Sequence, residues 1–263
     1  MNKKNIQKLA ALIRNSHNTV FLTGSGVSTT SGIPDYRGHT SVYWKKYQGE
    51  DFRFQTFINN EKAREKYWEL SLDFYNLVKS ANPSLAHLCI AKLETLSKAD
   101  SVITQNVDGL HQKATTTPNR IIEVHGTIHN IECLDCRRLF PSDSIYALVA
   151  QKLHAPVCYY CSGILKPAVL DFGQPLPTVK MAKALKRVLS ADLLVVIGSS
   201  LIVQPIASLP VKAREYNKKI AIVNYMPTTC DQYADLVIYA EAGETLSEVL
   251  NILMAEQKLE VAL

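Results

Sequence analysis

The stretch VFLTGSGVSTTSGIPDYR, Val20 to Arg37, decides the architecture. Its apolar opening reads as a buried strand that stops at a glycine. Gly24 and Gly26 let the backbone turn tightly enough for its amides to approach an oxygen-rich group. Ser28 or Thr29 is then expected to cap a following helix, whose free amides favour anions. The Ile33-Pro34-Asp35-Tyr36-Arg37 run is more than such a loop requires, so one ligand has to account for both halves.

Working outward, the apolar runs SVITQN, RIIEVHG, DLLVVIGSS, KKIAIVNY and DLVIYA read as further strands. Most are separated by helical patterns, including PTVKMAKALKRVLS, PIASLPVKAREY and TLSEVLNILMAEQKL, and Ile6, Leu9, Leu12 and Ile13 share one face of an opening helix. This alternation predicts an α/β fold, a Rossmann-like, mainly parallel sheet covered on both faces. Two stretches interrupt it, a charged aromatic one from about 36 to 80 and a cysteine-bearing one from about 127 to 170. The expected organisation is a discontinuous sheet domain (1–35, 81–126 and 171–263), a loop with a helical insertion (36–80) and a small cysteine-bearing module (127–170).

With 263 residues, 47% of them hydrophobic and 20% charged, the chain can bury one large core and carry a smaller module. The net charge of +5 is scattered among acids rather than gathered in a block, which argues against direct nucleic-acid binding. No apolar stretch approaches the roughly 20 residues that span a bilayer, and the N-terminus lacks a cleavage signature. A cytoplasmic protein without membrane contact is expected.

As a dinucleotide fingerprint the glycine loop is incomplete, and a bare Gly-x-Gly is equally an ordinary strand-to-helix turn. The ribose-binding acid expected about 20 residues on is missing, and Asn224 at the end of IAIVN is placed to take that role. In TQNVDGLHQ, Gln105, Asn106 and Asp108 set two amides and a carboxylate at a strand's carboxyl end, where open parallel sheets bind ligands. Capping of the helix that carries Leu110 and His111 explains Asp108 alone. His125, in EVHG, ends another such strand and is the candidate general base. Cys133, Cys136, Cys158 and Cys161 form two Cys-x-x-Cys pairs at the spacing of a four-thiolate zinc site. Such a site is closed to substrate, so one structural zinc is expected. Cys89 reads as core packing, and Cys230, in a loop, receives no role.

In order and spacing, GSGVSTTSGIPDYRG, TQNVDGLH, HG at His125, the cysteine pairs, KPAVLDFGQ, GSSLIVQP and IVN resemble the motifs of the sirtuins, NAD-dependent protein-lysine deacylases. The resemblance runs from about Asn5 to Glu244 and implies an answer to both halves of the opening stretch. Gly24, Ser25, Gly26 and Ser28 would accept the NAD phosphates, and Ile33, Asp35, Tyr36 and Arg37 would fold over the nicotinamide ribose. Gly198, Ser199 and Ser200 match a second phosphate and ribose contact, and Asn224 the adenosine ribose. His125 would act as general base, Asn106 would position water and ribose, and Gln105 and Asp108 would order the pocket. The products implied are deacylated lysine, nicotinamide and O-acetyl-ADP-ribose. The acyl-lysine partner would run as an added strand between LDFGQ and LIVQP, touching Leu170, Phe172 and Val203.

Some residues depart from that pattern. Ser25 replaces a usual alanine and Tyr36 a frequent phenylalanine, Lys166 stands where many members have arginine, and Asp171 and Gln174 occupy positions often apolar and acidic. Members that remove succinyl or malonyl groups carry a Tyr-x-x-Arg pair where this chain has Ser71 and Phe74, which implies neutral acyl groups, acetyl first. The aromatics of EKAREKYWELSLDFYNL read as packing residues of an amphipathic helix. An NAD glycohydrolase or mono-ADP-ribosyltransferase using the same pocket is the alternative enzyme, and a non-catalytic zinc-bearing binding module the alternative class.

Overall fold

All six apolar runs become strands of one sheet. The structure, a computed structural model, describes residues 2–36, 41–47, 52–151, 155–175 and 177–262. In chain order the described strands are β1 (Thr19–Thr23), β2 (Ser101–Thr104), β3 (Ile121–Glu123), β4 (Gly126–Cys133), β5 (Leu139–Pro141), β6 (Leu165–Val169), β7 (Leu193–Ile197), β8 (Lys219–Asn224) and β9 (Leu236–Tyr239). The helices are α1 (Lys3–Asn15), α2 (Phe54–Asn59), α3 (Glu61–Ser80), α4 (Leu85–Thr95), α5 (Leu110–Lys113), α6 (Ser142–Ala150), α7 (Thr178–Ser190), α8 (Leu209–Glu215) and α9 (Ala242–Ala262).

The large sheet runs β3-β2-β1-β7-β8-β9 with every pairing parallel. This is the doubly wound order, in which the chain leaves β1 toward one edge and later returns to β7 on its other side. Because the direction of winding reverses between β1 and β7, the loops after these strands part and leave a crevice. The strands alternate strictly. Phe21, Val195, Ile197, Ala221 and Val223 pack on one face with Ile6, Leu9 and Ile13 of α1, Ile90 and Leu93 of α4 and Leu246 of α9. Val20, Leu22, Leu194, Val196, Ile220 and Ile222 pack on the other with Val188 of α7 and Ala213 of α8. Leu12 is only partly buried at the edge of the first cluster. Cys89 is buried as expected, and Cys230, read as a loop residue, is also buried, in the second cluster.

A second, antiparallel sheet, β5-β4-β6, carries the cysteine-bearing stretch. Its apolar side meets α3 and α6 in a third cluster that includes Trp68, Phe74, Tyr75, Tyr146 and Leu165. That packing places α3 beside the segment after β6, across the mouth of the crevice. No described helix is long and apolar enough to cross a membrane.

Leu194 has no exposed surface at the centre of the large sheet. Leu194→Ala is expected to lower unfolding stability by about 2–5 kcal/mol, read from urea denaturation, since the cavity adds to the lost transfer term; a change under about 1 kcal/mol would contradict this packing.

Candidate functional site

The loops after β1 and β7 touch backbone to backbone. Gly26 N–H donates to Gly198 O at 2.9 Å, and Gly24 N–H to Ile197 O at 3.1 Å. A Cβ on Gly24 would lie 2.7 Å from Gly198 O, one on Gly26 2.8 Å from Gly198 Cα, and Gly198 itself has φ +61°. Glycine is thus required by the approach of one loop to the other, a constraint the sequence reading had assigned to the ligand. The helix expected beyond the loop is also different. Two short 3₁₀ turns, Ser25–Val27 and Thr29–Ser31, take its place, without side-chain caps. Ser28 instead donates to Asp108 Oδ2 at 2.7 Å and Thr29 to Gly26 O at 3.1 Å.

Around this contact lies a cavity of about 670 Å³. Gly24, Ser25, Gly26 and Ser28 line it from the first loop, Gly198, Ser199 and Ser200 from the second, and Asn224 from the end of β8. Ile33, Asp35 and Tyr36 line it as well. The Tyr36 N–H donates to Ser25 Oγ at 3.3 Å and its ring stacks on Trp44 at 4.6 Å, which folds the Ile33–Tyr36 run back over the glycine loop. Arg37 lies outside the described residues.

Residues after β2 and β3 complete the floor. His125 Nδ1 donates to Gln105 O at 3.0 Å, so the proton sits on Nδ1 and Nε2 keeps its lone pair. Burial holds the imidazole pKa below its usual 6.5, with Lys180 adding to the drop and the Gln105 carbonyl opposing it. The ring is therefore neutral, in its base form, at pH 7. The Asn106 amide donates to Gly24 O (3.1 Å) and Ser28 Oγ (3.0 Å), and the Gln105 amide to Ser199 Oγ (2.8 Å). Asp108 is buried with both oxygens engaged, Oδ2 by Ser28 and Oδ1 by the Leu110 N–H at 2.9 Å, at the start of α5.

Two anchors behind the glycine loop were not read from the sequence. His111 Nε2 meets Thr23 Oγ1 at 3.0 Å, and Ser84 donates to Val27 O at 2.7 Å while sharing a capping box with His87. The NPSLAH and GLH motifs contained the signal, but only the tertiary fold gives these side chains their partners.

Leu170, Phe172 and Val203 line the open side of the same cavity. The Leu170 N–H donates to His125 O at 2.8 Å, tying this wall to the histidine's strand. Neither LDFGQ nor LIVQP is itself a strand; Gln174 N–H closes a turn on Asp171 O at 3.1 Å. Opposite them, Tyr67, Ser71 and Phe74 of α3 reach the cavity, so Tyr67 and Phe74 are wall residues as well as packing residues.

The four cysteines converge, with all Sγ atoms within 4.8 Å of one another. Cys133–Cys161 and Cys136–Cys158 are 3.6 and 3.8 Å apart. Four thiolates bound tetrahedrally at about 2.3 Å lie about 3.8 Å from each other, whereas a disulfide needs about 2.05 Å. Each knuckle turns alike, with Arg137 N–H on Cys133 O and Ser162 N–H on Cys158 O, both turn residues at positive φ. The donor set fits one zinc ion held entirely by protein, and its part is to fold the β4–β6 sheet.

A profile of the Sir2 family matches residues 24–205. The NAD-dependent protein deacetylase of Thermodesulfovibrio yellowstonii is 34% identical over 252 residues, 96% of either chain. NAD-dependent protein deacylase 2 of Archaeoglobus fulgidus is 37% identical over 248 residues, 94% of this chain and 95% of its own. Among solved structures, one described as Sir2–p53 peptide–NAD+ matches with a TM-score of 0.84 at 32% identity, over 94% of this chain and 98% of that one. A Sir2 complex with deacetylated p53 peptide and 3′-O-acetyl ADP ribose matches with a TM-score of 0.86 at 31% identity, over the same shares of both chains.

A strong chelator is expected to release one zinc per chain, counted with a colorimetric indicator, and to melt the β4–β6 module in near-UV circular dichroism. Metal binding contributes on the order of 10 kcal/mol to such folds. Metal-free protein with an unchanged spectrum and melting curve would contradict a structural zinc.

Proposed function

The chain belongs to the Sir2 family, the sirtuins, and on that premise we propose that it is an NAD-dependent protein-lysine deacetylase. The observation that carries the reading is a single cavity in which the paired glycine loops of a doubly wound switch point face a neutral, Nδ1-protonated histidine. When bound, NAD supplies the ADP-ribosyl group that receives the acetyl group as nicotinamide leaves.

The residues present fit that ligand. The first glycine loop offers small residues and the Ser25 hydroxyl to phosphate oxygens, the Ser28 proton being committed to Asp108, and Gly198, Ser199 and Ser200 offer a second set from across the crevice. Asn224 ends β8 with its amide toward the same cavity and its Nδ2 on Met226 O at 2.7 Å, which leaves Oδ1 to accept from ribose hydroxyls. Ile33 and Asp35 hold the nicotinamide end under the folded-back run. His125 Nε2, with its lone pair free, would accept a proton from a ribose hydroxyl of the bound dinucleotide. Asn106 positions the ribose and water. Asp108, with its carboxylate fully engaged, acts through Ser28 and the α5 terminus as a positioning residue. The acyl-lysine peptide enters between Leu170–Phe172 and Val203, laying its backbone along segments that are irregular in the chain alone.

His125→Ala is expected to reduce NAD-dependent deacetylation of an acetyl-lysine peptide by about a hundredfold or more while leaving the fold intact by circular dichroism; near wild-type turnover would remove His125 as the base. Free ADP-ribose formed at the same rate with and without peptide would favour the glycohydrolase alternative. Because a lowered pKa keeps the imidazole unprotonated until more acidic pH, the acid limb of kcat/KM is expected to fall below pH 6.5. A limb centred above that value would contradict the buried, neutral histidine.

A further inference from the structure

Lys166, in β6, is only 1% exposed. Its ammonium donates to Val169 O at 2.5 Å and Pro167 O at 3.2 Å, and lies 2.8 Å from Asp171 Oδ2 in an ion pair rather than an aligned hydrogen bond. The other Asp171 oxygen accepts from the buried Tyr67 hydroxyl at 2.9 Å. Asp171 and Tyr67 both line the main cavity, and Lys166 sits directly behind the carboxylate. One carboxylate is thus held between a buried cation and a buried phenol at the cavity wall. A desolvated ammonium needs such a partner, and a phenol and an ammonium converging on one point form a receptor for a carboxylate.

No lysine or arginine is among the described residues that line the cavity, whereas Asp35, Asp108, Asp171 and Glu241 all do. A carboxylate arriving on an acyl chain therefore finds fixed negative charge, and Lys166, the cation directly behind Asp171, is already taken. This differs from the sequence reading, in which Ser71 and Phe74 mark a missing cation. Ser71 is turned to Tyr146, 2.6 Å away, while Tyr67, one helical turn earlier on α3, meets the Asp171 carboxylate on which the Lys166 charge is spent.

We propose that Asp171 is the acyl-selectivity residue: it fills a carboxylate receptor made by Tyr67 and Lys166, so that the enzyme accepts neutral acyl-lysines and excludes acyl groups ending in a carboxylate. The proposal rests on the deacylase reading above, and it predicts that the exclusion is reversible by a single change.

The test compares acetyl- and succinyl-lysine peptides with NAD in wild type, Asp171→Ala and the charge-neutral double variant Asp171→Ala/Lys166→Met. The succinyl-to-acetyl ratio of kcat/KM is expected to rise at least tenfold in Asp171→Ala and to fall back in the double variant. Where the alanine variant does not fold, Asp171→Ser, too short to sit between Tyr67 and Lys166, takes its place and is expected to raise the same ratio. In parallel, melting with added sodium acetate, against sodium chloride at equal ionic strength, is expected to stabilise Asp171→Ala and neither of the other two proteins. That result in a protein inactive on every acyl peptide would keep the receptor and remove the deacylase reading. A folded Asp171→Ala, active on acetyl-lysine, with an unchanged ratio and no stabilisation by acetate would overturn the proposal, as would wild type that uses both peptides equally.

Discussion

The contact between the glycine loops of β1 and β7 is the constraint from which the site follows. Strand order alone opens a crevice between these loops, but side chains at Gly24, Gly26 or Gly198 would push them apart by the bulk of a Cβ. Their absence lets one loop's amide bond to the other's carbonyl, and the two sets of serine hydroxyls are then presented to one cavity from opposite sides.

Behind that contact runs a continuous polar network. Asn106 and Asp108 meet at Ser28, Gln105 reaches Ser199, and His125 is tied to the Gln105 backbone, so hydrogen bonds link the loops after β1, β2, β3 and β7 to one another. His87 and His111, packed edge to face beneath it, are kept neutral by burial, His87 with its pKa lowered to about 4. They add hydrogen bonds to the floor without adding charge. The same logic separates the roles of two cavity residues: His125 has an uncommitted nitrogen and can exchange a proton, whereas the Asp108 carboxylate is spent on structure.

What could be read from the sequence followed from local pattern. Six branched-apolar runs announced the sheet because buried parallel strands cannot alternate with polar residues, and two Cys-x-x-Cys pairs announced the metal because thiolate geometry fixes their spacing. The described candidates for the site gather in one cavity for a related reason: in a doubly wound sheet, every strand's carboxyl end points to the same crevice. Readings that failed depended on contacts between distant segments. Ser28 looked like a helix cap until Asp108, 80 positions away, took its hydroxyl. Tyr67 looked like packing, and its bond to Asp171 spans 104 positions. Lys166 read only as a lysine where related chains often have arginine, and its near-complete burial reveals a charge that must be answered from within the chain.

The account comes down to one cavity bringing a dinucleotide and an acyl-lysine together so that the acyl group passes directly between them. Mass spectrometry of a peptide bearing a deuterated acetyl-lysine, incubated with the protein and NAD, tests this most directly. The predicted result is deuterated acetyl on ADP-ribose, formed one for one with nicotinamide and free lysine, and none without NAD. Deuterated free acetate as the first product beside unmodified ADP-ribose, or deacetylation that proceeds without NAD, would contradict it.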